Sequence, residues 1–155
     1  MTIDETGINR LAFIKYLYNV AFEHSHRPEP LSSVSILTFH DAIELFLQLA
    51  SEYLNVGKEQ ISFMDYWELL SRKLSGDGLT QKEAIRRLNK ARVALKHHGT
   101  LPSNLDIEAF RASATNFFEE NTPIVFAIQF SDVSLIELVH CADAKKKILK
   151  KPKKC

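Results

Sequence analysis

With 155 residues, 45% of them hydrophobic, the chain fits one globular domain with a sizeable core; five glycines and five prolines are few, and the dominance of Leu, Ala, Ile, Lys and Glu favours helices. The 20 basic and 19 acidic residues almost cancel, yet seven lysines fall between Lys145 and Lys154, so residues 1–144 hold 13 basic against 19 acidic groups. An acidic body argues against a general nucleic-acid-coating surface, two cysteines (Cys141, Cys155) against a disulfide framework, and the lack of a long apolar run or a charged-then-apolar start against a membrane span or signal segment, so a reducing cytoplasm is expected.

A first helix is predicted from about Asp4 to His24, with Ile8, Leu11, Ala12, Ile14, Tyr16, Leu17, Val20 and Ala21 giving a broad apolar face. The stretch EHSHRPEPLSS breaks it, because two prolines cannot continue a helix. His24 and His26 alternate there, but no cysteine or carboxylate constellation completes a metal site, and a solvated loop is expected. The second helix, about Ser32 to Asn55, is the most apolar and therefore central. Its polar residues are His40, Asp41, Glu44, Gln48 and Glu52, four of which recur every four residues as a thin stripe. That stripe reads either as a solvent edge or as the place where His40 and Glu44 line one interface with Arg92. A third helix, Ser62 to Leu74, packs Phe63, Tyr66, Trp67, Leu69 and Leu70 inward, with Trp67 a core anchor, and SGDG turns the chain.

The next helix is locally cationic. Thr80 stands at its N-cap, Glu83 completes a capping box, and Gly99 with Pro102 stops it. Between Gln81 and His98 there are six Lys or Arg against one Glu. Ala84, Ile85, Leu88, Ala91 and Leu95 are assigned to the core side, and Lys82, Arg86, Lys90, Arg92 and Lys96, with Asn89 and His97, to the other, where Val93 is an apolar exception. Arg92 and His97 lie about 140° apart at the ~100° per residue of an α-helix. A shared site therefore needs the last turn to bend His97 or His98 inward, or a second copy of the helix.

A fifth helix runs from about Leu105 to Glu120, Pro123 at N1 starts another, and Ser131 or Asp132 caps a last short one, SLIELVHCADAKKKILK, in which His140 and Cys141 pack rather than react. The lysines of residues 145–155 form a solvated tail, either a linker or an RNA-binding arm. The expectation is an all-α, antiparallel bundle of about five main helices plus the short C-terminal one, in a single domain over residues 1–144. No phosphate loop, HExxH or G-x-S-x-G motif is present.

The run Arg92-Val93-Ala94-Leu95-Lys96-His97-His98 resembles the R-x(4-6)-H signature of HEPN domains, all-helical modules many of which are metal-independent ribonucleases, and HDAIELFLQLA from His40 to Ala50 is similar to their second helix. The resemblance covers roughly residues 10–121. It implies cleavage of single-stranded RNA without metal or cofactor at a homodimer interface, with Arg92 and His97 catalytic and Asn89, Lys96, His98 and Glu44 supporting. It also implies a toxin or defence setting with a protein partner such as an antitoxin, and no membrane. The chain departs from the pattern at Val93, where active members carry a polar residue, often Asn, directly after the arginine. The alternative is therefore a non-catalytic dimerisation or protein-interaction module with a degenerate motif.

Overall fold

The computed structural model describes residues 2–138 except Lys58, and the described residues are all-helical. Helix α1 (Glu5–His24) begins where the Asp4 carboxylate accepts the Gly7 amide at 2.7 Å. A 3-10 turn at Leu31–Ser33 leads into α2 (Val34–Tyr53). The two lie antiparallel: Arg10 near the start of α1 forms a two-point ion pair with Glu52 near the end of α2, while Tyr18 packs on Phe39. The helical stretch Leu31–Tyr53 has the length and apolarity to cross a membrane, at a mean hydropathy of 1.2, which corrects the expectation that no run approaches a span. Here most of its apolar side chains are core, with Ile36, Phe39, Ala42, Ile43, Phe46, Leu47 and Ala50 fully buried and Leu31 and Val34 at its start exposed.

Helix α3 (Tyr66–Ser71) is shorter than expected because Phe63–Asp65 forms a 3-10 turn instead. Trp67 is the anchor it was read as: it is buried, and its indole N–H donates to the Thr80 carbonyl at 2.8 Å. The turn after α3 needs Gly78, which has φ +74° and whose missing Cβ would stand 2.3 Å from that of Ser71. That closeness lets the Ser71 hydroxyl accept the Leu79 amide at 3.1 Å.

Helix α4 (Lys82–His98) starts differently from its sequence signals. Gln81, at φ +66°, precedes it without a side-chain cap, and Thr80 is used elsewhere: its hydroxyl donates to Glu120 Oε2 at 2.5 Å and its amide to Asn121 Oδ1 at 2.9 Å. Asn121 is fully buried and must be satisfied, a demand that outweighs an exposed cap. Glu83 turns to Arg86. The capping box lies one helix later, where Ser103 and Asp106 satisfy each other's amides at the start of α5 (Asn104–Phe126). The stop is as read: Gly99, at φ +65°, and Thr100 send their amides back to Leu95 and Ala94.

Helix α5 passes through Pro123 rather than restarting there. In the last turn the missing N–H removes a single bond, while Val125 and Phe126 are buried and Phe126 packs on Phe46 and Tyr53. Beyond it come 3-10 turns at Phe130–Asp132 and Leu135–Leu138, and the side chain that accepts an amide there is Ser134, not Ser131 or Asp132. Lys15 pins this segment by donating to the carbonyls of Phe130, Ser131 and Val133 at 3.0, 3.0 and 2.8 Å. Most of the expected C-terminal helix, with His140, Cys141 and the lysine tail of residues 145–155, lies outside the described residues.

The core is aromatic, centred on Phe118, which meets Tyr18, Phe46, Phe117 and Phe130 at ring separations of 4.9 to 5.8 Å. These rings join α1, α2 and α5. Helix α4 packs against both α2 and α5, with its start bonded to Glu120 and Asn121 near the end of α5, and Ile85 and Leu88 are its buried residues.

Candidate functional site

The polar stripe of α2 divides. Its far end, Glu52, is an exposed partner for Arg10, whereas His40 is buried and carries the stripe under α4. His40 follows Ile36 by four residues and precedes Ile43 by three, so on a helix it stands in a buried row. Its imidazole stacks on Phe63 with ring centres 4.2 Å apart. Nε2 lies 2.9 Å from Asn89 Oδ1. Because that oxygen only accepts, Nε2 carries the proton and Nδ1 the lone pair. Nδ1 has no hydrogen-bond partner among the described residues, and the Glu44 carboxylate is 4.0 Å away.

This contact corrects the face assigned to Arg92 and Asn89. At about 100° per residue Arg92 falls within ~20° of Ile85 and continues the direction set by Ile85 and Leu88. Both Arg92 and Asn89 are half-buried on the α2 side of α4, not on its solvent face. The charge of Arg92 reaches His40: the ring is held below its ordinary pKa first by burial and then by the Arg92 guanidinium, against the Asn89 hydrogen bond and the Glu44 and Asp41 charges, which raise it. Arg92 makes no ion pair among the described residues, so Glu44 sits by His40 rather than orienting the arginine.

The expected catalytic pair is not brought together within one chain. Helix α4 stays regular through His98, and Lys96, His97 and His98 are all exposed on its last turn. The bend that would carry a histidine inward is absent, leaving only the second copy. Val93 is exposed at 38% on the outer face, with the basic side chains of Lys82, Arg87, Lys90 and Lys96 exposed along the same helix and no described element covering them. The arrangement offers an unpaired, half-buried guanidinium beside a buried polar wall, and two solvent-facing imidazoles one turn further on. It suits anion binding at Arg92 and proton transfer at the helix end.

Sequence reasoning offered His40 with Glu44 beside Arg92 as one of two readings of the stripe, but not the burial of His40, its bond to Asn89, or Asp41 as a member of the group. The available signal was the position of His40 in the Ile36–Ile43 row, which a stripe drawn every four residues obscures. Compared with family models, with curated proteins and with solved structures, the chain finds no match.

Proposed function

We propose that this is a helical module of the HEPN type that cleaves single-stranded RNA at a site shared by two copies of the chain, Arg92 holding the scissile phosphate and His97 moving the proton. The observation that supports this most is the unpaired, half-buried Arg92 beside Asn89 and His40, on a helix whose outer face is basic and uncovered. A guanidinium held without a carboxylate partner keeps its forked donors for a phosphate. In the reaction the ribose 2′-oxygen loses its proton to a histidine and attacks phosphorus, the bond to the 5′-oxygen breaks, and a second histidine protonates that leaving oxygen. No metal is needed for these steps. Each chain supplies His97 on the far side of the helix from its own Arg92, so an isologous dimer that faces two α4 helices across an axis supplies both roles. Lys96 and His98 flank the strand, and Asn89 and Glu44 stand at His40 rather than on RNA. A ribonuclease of this kind needs a protein that silences it in the cell that makes it, which is the chemistry of a toxin with its antitoxin.

The test is cleavage of mixed single-stranded RNA in EDTA by the parent, by Arg92→Ala, by His97→Ala and by a refolded equal mixture of the two variants. The parent yields 2′,3′-cyclic phosphate ends, each variant alone is inactive, and the mixture stays inactive as well, because no dimer in it carries both His97 side chains together with an Arg92. Full cleavage by either single variant, or none by the parent, sinks the proposal.

A second reading is favoured by Val93, which places an apolar side chain on the outer face directly after Arg92. In it the same face is a dimerisation or partner surface without catalysis. Parent and variants then all leave RNA intact, and Val93→Glu converts a dimer to a folded monomer on sizing.

A further inference from the structure

Away from the basic face of α4, the described residues hold a group of metal-competent side chains on α2: His40, Asp41 and Glu44 each offer one donor atom, and the three atoms lie within 4.8 Å of one another. Two carboxylates near each other on a helix are not a site. The third member is what distinguishes this group, because the His40 side chain is only 3% exposed and its Nδ1 lacks any hydrogen-bond partner among the described residues while facing Glu44 Oε2 at 4.0 Å.

The opposite ring nitrogen defines what Nδ1 is. Since Nε2 donates to Asn89 Oδ1, Nδ1 is a buried lone pair facing acceptors, an arrangement that costs stability unless a donor or a cation stands between them. A transition-metal ion bonds imidazole nitrogen and carboxylate oxygen at about 2.0–2.2 Å each, so a tetrahedral site needs them about 3.4 Å apart, and the half-exposed Glu44 side chain has to close in on Nδ1 from its 4.0 Å to bind the ion. Asn89 then takes the part of the outer hydrogen-bond partner that fixes tautomer and ring orientation in metal-bound histidines. Phe63, stacked on the ring, holds its plane, and the exposed Asp41 with the half-exposed Glu44 leaves a route in from solvent.

We infer that His40 Nδ1, Asp41 and Glu44 bind one divalent first-row transition cation of the Zn2+ or Mn2+ type on α2. The nitrogen donor selects against Mg2+ and Ca2+, which prefer all-oxygen sets, and the two carboxylates match the charge of the ion. Arg92 on α4 opposes it and limits its affinity. The inference does not rest on the RNA reading, whose cleavage assay is run in EDTA.

The test uses the full chain, stripped with EDTA and dialysed, then titrated with Zn2+ by calorimetry and with Co2+ by visible absorption. Beside the parent stand Glu44→Gln and Asp41→Asn, both at exposed or half-exposed positions that leave the core untouched, and the His97→Ala/His98→Ala double variant as a control for surface histidines. The expected result is one ion per chain, bound at least about tenfold more weakly in each carboxamide variant and unchanged in the double variant. No stoichiometric binding, parental affinity in both carboxamide variants, or loss of binding in the double variant would each overturn the inference.

Discussion

Helix α2 is met on two sides by two kinds of contact. Toward α1 and α5 it presents Phe39, Phe46 and Leu47 to a mesh of aromatic rings. Toward α4 the buried apolar contribution shrinks to Ile85 and Leu88, with His40 bonded to Asn89 at the middle, and the start of α4 is tied by polar bonds to α5, through Thr80 with Asn121 and Glu120. The first contact stores stability and the second stores position. A helix held by directed bonds keeps one orientation while leaving its other side free, and on α4 that side is the basic one.

If this division is right, the largest loss comes from the aromatic side. Phe118→Ala removes a fully buried ring that touches Tyr18, Phe46, Phe117 and Phe130, and is expected to cost about 3–5 kcal/mol in denaturant unfolding. A loss below ~1 kcal/mol would mean that the aromatic mesh is not where stability resides.

Next comes the anchor of α4. Asn121→Ala strips the acceptor from the Thr80 amide and the donor from the Phe117 carbonyl in a fully buried place, an expected cost of about 1–3 kcal/mol. Hydrogen exchange should quicken first at the beginning of α4 while the α1–α2 pair stays protected. Uniform loosening of all helices would break the division between the two contacts.

Much of the scaffold was legible and much of the site was not, for reasons that lie in particular residues. The breaks at Pro28 and Pro30, the stop at Gly99 and the anchoring role of Trp67 follow from local chemistry, which acts on neighbours in the chain. Thr80 and Glu83 carried an equally good local signal, yet Asn121, forty-one residues away, claims Thr80. Pro123 likewise looked like a start because its breaking effect is local, whereas the burial of Val125 and Phe126 that carries α5 through it is tertiary. Charge misled for Arg92: sorted by residue type it belongs outside, sorted by angle it follows Ile85 inward. The His40–Asn89 bond joins residues forty-nine apart on two helices, and no spacing within either one announces it.

The smallest effects are the most telling about this polar contact, because they read its field rather than its packing. His40 titrates below its ordinary value of 6.5 in the folded chain, so as the pH falls the unfolded chain takes up the proton first. Its stabilising contribution is therefore complete above about pH 6.5 and is lost as the pH falls through the folded pKa. His40→Gln keeps a donor for Asn89 Oδ1 and does not titrate. Between about pH 7.5 and pH 5, above the carboxylate range, the parent should lose stability more steeply than this variant, and the difference cancels every other group. Arg92→Gln removes the second cause of the depression and leaves the first, burial, in place. At the neutral end its stability should stay within about 0.5 kcal/mol of the parent, as for a residue without an ion pair. On acidification it should follow a slope between those of the parent and His40→Gln. A slope identical to the parent's would separate Arg92 from His40 electrostatically. An intermediate slope would instead show that the guanidinium and the buried imidazole share one field across the α2–α4 contact, so that an anion bound at Arg92 raises the affinity of His40 for its proton.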